Sequence, residues 1–389
     1  VTPQRPPLDG LKVLDLGTMV TAPLAAMLLG QLGANVTKVE HPAGGDPFRK
    51  TTGGEYSPNF IAYNQNKTSV QIDLSKAEGR ARLLDLVATT DILIENYRPG
   101  VMHRLGLDGD ALSNANARLI HCSITGFGSD GPYVDRAAYD TVGIGLSGIL
   151  HLYLDPARPQ VFGPTLSDNA TGLYAFGGIL AALHARERTG QGQRVELNML
   201  ESAIAFIPDA FAYWTQAGTD YGPLSRVASS QCFAWVCADG RAISVHLSVP
   251  DKFWTNLLDA LQAHATLGVD PRYRSRKERV ENYVSLAEEL ANIVRTKPRL
   301  HWEKVFAEHD LPFAPVNTIA EVLDDPQVRH LGTFETVRHP DKGEITGIRN
   351  PIRINGIRGP VVAPPTLGER DGQISAPRPD ADRLISRSA

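Results

Sequence analysis

The chain has 389 residues, 42% of them apolar and 21% charged, with a formal net charge of −4. That length allows two domains with sizeable cores, and the composition is that of an ordinary globular protein in water. The mildly acidic balance, without a basic block, argues against a nucleic-acid partner, and no apolar run is long enough to span a membrane.

The opening VTPQRPPLDG does not read as a signal peptide. Cys122, Cys232 and Cys237 lack Cys-x-x-Cys spacing and read as reduced thiols of a cytoplasmic protein. The eleven histidines show no paired-ligand spacing, so no metal is expected.

Residues 12–16 (KVLDL) read as a buried strand, 17–21 as a loop, 22–32 as a small-residue helix and 35–40 as a second strand. Pro23 suits the first turn of that helix. This βαβ unit predicts a parallel sheet with helices on its faces. The first loop stands where such folds bind phosphates, and Glu40 ends the second strand where a ribose-binding acid is found. Yet Gly17-Thr18-Met19-Val20-Thr21-Ala22 lacks G-x-G-x-x-G, which disfavours a nicotinamide enzyme.

Residues 63–74 read as a polar loop entering an alternating strand, 76–89 as an amphipathic helix and 91–95 (DILIE) as a buried strand. The last of these ends at Asn96-Tyr97-Arg98-Pro99-Gly100. A strand at 118–125 runs into Gly126-Phe127-Gly128-Ser129-Asp130-Gly131-Pro132-Tyr133, a loop whose glycines are a weak phosphate signal. A helix is expected from 138 through 150.

The stretch 162–200 carries the candidate chemistry. Ser167 and Asp168 precede a long apolar run that ends in Arg186, Glu187 and Arg188 and then Gly190, the marks of a complete helix. A short strand follows at 194–198. The helix is apolar on most sides and should be buried. Asp168 would lie at its positive end, where a carboxylate stays ionised. On local pattern alone Asp168 reads as a helix N-cap.

Further on, one helix is expected over 200–216, a hairpin over 231–246 about Asp239-Gly240, and helices near 251–262, 280–295 and 298–309. Short strands are expected at 334–339 and 352–354, and the final twenty or so residues read as poorly ordered. The switch away from βα alternation suggests a large domain over 1–220, a small α+β domain over 225–315, and a return to the large domain with a tail over 316–389.

Several ordered motifs resemble those of the class III CoA-transferase family, CaiB/BaiF type, which includes formyl-CoA transferase, carnitine CoA-transferase and α-methylacyl-CoA racemase. They include Leu8-Asp9-Gly10 with Val13-Leu14-Asp15-Leu16, and Leu32-Gly33-Ala34-Asn35-Val36-Thr37-Lys38-Val39-Glu40. Others are Glu95-Asn96-Tyr97 with Pro99-Gly100, and the glycine-rich loop at 126–132. The most telling pair is Asp168-Asn169-Ala170-Thr171-Gly172 with Arg186-Glu187-Arg188-Thr189-Gly190-Gln191-Gly192-Gln193-Arg194-Val195. Further on come Asp325-Pro326-Gln327-Val328 and Pro365-Thr366-Leu367-Gly368-Glu369.

The resemblance implies an α/β fold: a Rossmann-like large domain with a parallel sheet, a smaller α+β domain, and an interlocked homodimer. It implies Asp168 as nucleophile and contacts to CoA from Val20, Thr21, His41, Ile72, Ser75, Asn96, Tyr97, Arg98, Arg104 and Tyr139. Tyr97 can stack on adenine and Arg98 or Arg104 can pair with phosphate, although either arginine also reads as an ordinary surface residue. The sequence departs from the family's pattern at His41, where an arginine is frequent, and at Ala22, where a glycine is usual.

The implied activity is CoA transfer between an acyl-CoA and a small carboxylic acid, with CoA as substrate and no permanently bound cofactor. Glycine-rich segments near 126–131 are the candidate donors to an oxyanion. The alternatives are an acyl-CoA racemase or epimerase and a non-catalytic CoA-binding protein. Racemases of the family carry a histidine where this chain has Tyr139, because inversion needs a base on each face of the carbon.

Overall fold

The computed structural model describes residues 5–52, 54–155 and 157–373, so most of the tail expected to be poorly ordered lies outside the described residues. Backbone contacts divide the chain into two units. One is built on residues up to 150, 161–208 and from 329 onward, the other on 151–160 and 209–328.

The first unit opens with β1 (Lys12–Asp15), α1 (Thr21–Gln31), β2 (Asn35–Glu40), α2 (Pro58–Tyr63), β3 (Lys67–Gln71), α3 (Ala77–Val87) and β4 (Ile92–Glu95). It continues through α4 (Val101–Arg104), α5 (Gly109–Ala115), β5 (Ile120–Thr125), α6 (Asp140–Leu146), α7 (Ser167–Thr189), β6 (Gln193–Asn198) and α8 (Met199–Ala205). All six strands pair in parallel in the order β3-β2-β1-β4-β5-β6. This is the strand order of the Rossmann fold, reversing direction between β1 and β4.

Both faces of the sheet are covered, so the central strands are continuous apolar runs; Ile92, Leu93 and Ile94 of β4 are fully buried. On one face α1 and α7 supply Ala22, Ala25, Leu29, Ala175, Phe176 and Ile179. On the other, α3 and α5 supply Leu83, Val87 and Leu112. Small residues let α1 and α7 approach closely. A Cβ on Gly172 would lie 2.9 Å from the Thr21 carbonyl oxygen and 2.8 Å from Leu24 Cδ2.

The second unit begins at α9 (Pro208–Ala217) and α10 (Ser225–Ser229). Then come β7 (Cys232–Val236), β8 (Ala242–His246), α11 (Pro250–Leu261), α12 (Arg276–Glu281), α13 (Tyr283–Val294), α14 (Arg299–Glu308) and β9 (Phe313–Pro315). The strands form an antiparallel sheet in the order β7-β8-β9. Alternate residues of β7 and β8 pack with α11, α13 and α14 around Phe233, Trp235, Leu257, Leu286, Leu290 and Phe306. The turn after β7 carries Gly240 at φ +75°, as the Asp-Gly signature predicts. The chain then passes through α15 (Ile319–Asp324) and α16 (Pro326–Leu331) to the hairpin β10 (Phe334–His339) and β11 (Gly343–Ile348).

Four local readings change. The helix expected to reach 150 ends at Leu146, where Gly148 takes φ +87°. The single helix expected over 200–216 is α8 and α9, broken at Pro208, whose nitrogen cannot continue the ladder. Helix α2 was not foreseen, although Ser57 caps it by accepting from the Phe60 N–H and Pro58 occupies its first turn. The strand expected at 352–354 is a single bridge, Ile354 to Ile357.

Candidate active site

The reversal of strand order leaves a crevice at the carboxyl ends of β1 and β4. A cleft of about 420 Å³ opens there. Its walls are Thr18–Thr21 after β1, Asn96–Pro99 after β4, Ile124–Gly128 at the end of β5, and Arg136, Ala138 and Tyr139 ahead of α6. Asp168 lies on its wall.

Asp168 is not a cap. Helix α7 starts one residue earlier, at Ser167, with Leu166 in the cap position and no side chain capping it. Ser167 is fully buried and donates to the Met199 carbonyl at 3.2 Å. Its hydroxyl fills the space that a Cβ on Gly143 of α6 would take. Thr171 donates back to the Ser167 carbonyl at 2.7 Å. This first turn is thereby fixed against α6, α8 and α1, and Asp168 is half-buried on the cleft side. Its backbone N–H donates to Asp140 Oδ1 at 3.2 Å. Its carboxyl oxygens make no hydrogen bond among the described residues.

Asp168 is less acidic than its place at the helix start leads one to expect. Burial, and secondarily the Asp140 carboxylate, push its pKa up to about 6. The helix end favours the anion by only about 0.3–1 kcal/mol, and desolvation outweighs it.

The far end of α7 explains the second half of the motif. Arg186 is buried and donates to Asp91 Oδ1 at 3.0 Å and to the Arg118 carbonyl at 3.2 Å. Gly190 ends the helix at φ +71°, its N–H returning to the Arg186 carbonyl. A Cβ on Gly192 would come within 2.1 Å of the Leu119 carbonyl oxygen. The motif therefore seats the helix on the sheet and holds Asp168 from a distance.

The family model for CoA-transferase family III matches residues 8–371. The chain belongs to CoA-transferase family III. It is an enzyme that transfers CoA. It is similar to the succinyl-CoA:glutarate CoA-transferase of Mus musculus, 31% identical across 95% of this chain and 85% of that one. It is 33% identical to the acetyl-CoA:oxalate CoA-transferase of Acetobacter aceti, across 96% of each. A CaiB/BaiF family protein from Brucella suis superposes with a TM-score of 0.85 at 31% identity, over 95% of this chain and 99% of that one.

In this family III chain the cleft brings together Asp168 with Val20, Thr21, Asn96, Tyr97, Arg98 and Tyr139. Tyr139 is exposed and immediately precedes α6. Tyr97 is half-buried, and burial, then the neighbouring Glu95 carboxylate, push its phenol up to about 12, so it enters as a neutral ring. The Asn96 amide is spent on the loop after β1. Its Oδ1 accepts from the Thr18 N–H at 3.0 Å, and its Nδ2 donates to the Thr18 carbonyl and to Thr21 Oγ1.

His41, Ile72 and Ser75 lie outside the cleft wall, grouped at the ends of β2 and β3. His41 Nε2 sits 3.5 Å from Asp73 Oδ1, to which Ser75 donates at 2.6 Å, and Ile72 is buried. Arg104 ends α4 with its guanidinium folded back over Gly100, Nη1 standing 3.2 Å from where a Cβ would be.

One cleft residue was missed by the sequence reading. Arg136 lines the wall with its guanidinium 4.5 Å from the Tyr133 ring centre, and it has no carboxylate partner among the described residues. Its signal was weak, a lone arginine between a glycine-rich loop and a helix. Among the described residues no group of three His, Cys, Asp or Glu side chains converges as a metal site. No described helix is long and apolar enough to cross a membrane.

Proposed function

We propose that this enzyme is an acyl-CoA:carboxylate CoA-transferase with Asp168 as nucleophile. The observation that carries the reading is a cleft carboxyl without hydrogen-bond partners among the described residues, whose basicity is raised to a pKa of about 6. At neutral pH it is largely ionised yet more basic than a free carboxylate, which suits attack on a thioester. Asp168 Oδ adds to the thioester carbonyl and the C–S bond breaks, giving a mixed anhydride and CoA thiolate. The thiolate attacks the aspartyl carbonyl and expels the donor acid, leaving an aspartyl-CoA thioester. The acceptor carboxylate then runs the two steps in reverse. Thioester energy is kept in covalent form throughout, with no redox change.

CoA is bound as substrate, with Arg98 and Arg136 facing its phosphates and Tyr97 its adenine. The named relatives pair acyl-CoA donors with dicarboxylic acids, and we infer a small carboxylic acid as acceptor here. Two features of the molecule support the remaining assignments. Its cysteines are free and two are buried, which suits a reducing compartment such as the cytoplasm. Leu173 and Tyr174 stand exposed on α7, Phe162 and Phe206 are exposed as well, and the Tyr174 hydroxyl donates to the Ala205 carbonyl at 3.2 Å beside Phe206; we infer a homodimer, interlocked as in the family resemblance, that covers them.

Racemisation would need a second base facing Asp168. The cleft wall holds no histidine or lysine among the described residues, and Tyr139 stands ahead of α6 where the racemases of the resemblance carry a histidine. The test is mass spectrometry of one acyl-CoA with a panel of carboxylic acids in D2O, beside Asp168→Ala. New acyl-CoA masses that vanish in the variant support transfer. Deuterium at the α-carbon without new thioesters would replace this reading with racemisation.

A further inference from the structure

The loop between β1 and α1 is held by side chains drawn from three other parts of the chain. Gly17 N–H donates to Asp15 Oδ1 at 2.9 Å, and Lys38 Nζ donates to the Gly17 carbonyl at 2.7 Å. Asn96 takes both the N–H and the carbonyl of Thr18. Met19 N–H lies 3.3 Å from each carboxylate oxygen of Asp46. Met19 itself adopts φ +66°, a left-handed conformation that disfavours a side chain of this kind.

Asp46 is buried and also accepts from the Phe48 N–H at 2.9 Å and pairs with Lys38 at 3.0 Å. Lys38 in turn stands 3.6 Å from Asp15, which pairs with Lys67 at 2.8 Å. These four charges are all buried, two of each sign, so the cluster is neutral and rigid rather than solvated. Burying four charges carries a desolvation cost that their mutual pairing offsets, and a fully paired network rigidifies what it touches. What it touches is the backbone that lines the cleft.

That backbone leads straight into α1, whose first-turn N–H groups have no acceptor within the helix. Val20 and Thr21 line the same cleft as Asp168. In the glycine-rich loop across the cleft, by contrast, the Gly128 N–H is already committed to Thr125 Oγ1 at 2.9 Å.

We infer that Asp46, backed by Lys38, is a positioning residue for the transfer reaction. By holding Met19 left-handed it aims the first turn of α1 at the carbonyl oxygen that becomes negative when Asp168 attacks. The assignment rests on the reading of Asp168 as nucleophile. Asp46 touches no substrate; it acts through the Met19 N–H. Stabilisation from preorganised N–H groups is realised in the transition state, so its loss falls on kcat and spares KM.

The test compares wild type, Asp46→Asn, Asp46→Ala and Asp46→Ala with Met19→Gly in acyl-CoA:acid exchange and in amide hydrogen exchange of residues 17–22. Removing a hydrogen bond to a charged group should lower kcat about 10- to 100-fold in Asp46→Ala. KM for acyl-CoA should change little, and the segment should exchange faster. Asp46→Asn keeps an acceptor and should lose less. Adding Met19→Gly should recover part of the kcat, because glycine takes the left-handed conformation without penalty.

Wild-type kcat in Asp46→Ala, or faster exchange with unchanged kcat, overturns the assignment. So does a loss that Met19→Gly leaves untouched and that tracks the folded fraction, which would make Asp46 merely structural. If wild type transfers CoA to no acid, the functional reading fails instead, and the exchange measurement still decides whether Asp46 holds the loop.

Discussion

Replacing Asp140 by asparagine isolates one of the two causes of the Asp168 shift. Asparagine keeps an oxygen to accept from the Asp168 N–H, now 3.2 Å from Asp140 Oδ1, so the turn should survive while the charge goes. The pKa rises from the ordinary 3.8 to about 6, and burial is the larger cause with Asp140 the lesser. Less than half of that rise is therefore removable, about 0.5–1 pH unit or about 0.7–1.4 kcal/mol.

The assay is kcat/KM for formation of the acceptor's acyl-CoA against pH, which reports groups of the free enzyme. Wild type and variant share one substrate, so its own ionisations cancel. The acidic limb should move down by that amount, while the plateau falls because a less basic carboxylate is a weaker nucleophile. Stability should move as well. A carboxyl with a raised folded pKa loses fold stability as pH climbs from its unfolded value through the folded one. Asp140→Asn should thus raise Tm at pH 7–8 and leave it unchanged below pH 4. An acidic limb that stays in place or moves up would refute the electrostatic account.

Two further outcomes follow from packing and protonation. Gly172→Ala puts a Cβ within 2.9 Å of the Thr21 carbonyl oxygen, a backbone atom that cannot swing aside; it should cost about 1–3 kcal/mol in urea unfolding and lower activity by shifting Asp168. A variant as stable as wild type would show that α7 can retreat from α1 freely. Buried His339 accepts from the Asp341 and Lys342 N–H groups at 3.1 Å through Nδ1, and burial lowers its pKa from 6.5. Its share of stability is therefore present above pH 6.5 and fades as pH falls through that value toward the lower folded one. Thermal melts between pH 7 and 5 should show a decline that His339→Gln flattens, and parallel profiles would count against it.

Much of the fold was legible because it is written in short-range patterns. The central parallel strands are apolar runs ending at marked loops, the glycines at 172 and 192 sit where close backbone approach admits nothing larger, and Gly190 takes the left-handed conformation that ends α7. The boundaries that shifted did so for local reasons, at Pro208 and Gly148. The electrostatics were not legible. Nothing in the sequence around Lys38 marks it as buried, yet it lies between Asp15 and Asp46, 23 positions before it and 8 after it in the numbering. Asp140 stands 28 residues before the aspartate it perturbs. Burial and charge at a distance are properties of the sheet order, which no window of sequence contains. Arg136 was overlooked for the same reason, since only the folded cleft shows that no carboxylate among the described residues answers it.

The raised basicity of Asp168 bears on the direction of the proposed chemistry. In the mixed anhydride, CoA thiolate can attack either carbonyl. Attack on the acyl carbonyl expels Asp168 and returns to substrate; attack on the aspartyl carbonyl expels the donor acid and goes forward. The better leaving group is the weaker base. A free carboxylic acid has a pKa of about 4, below the value of about 6 that burial and Asp140 give Asp168. The donor acid therefore leaves more readily than the enzyme's own carboxylate. An Asp168 set by its helix terminus alone would be more acidic than a free acid, and the anhydride would then favour return. The desolvated site and the Asp140 charge tilt the anhydride toward the aspartyl-CoA thioester, forward in the donor half and backward in the acceptor half, so Asp140→Asn should raise the share of anhydride that resolves to acyl-CoA when labelled donor acid is offered to the aspartyl-CoA thioester.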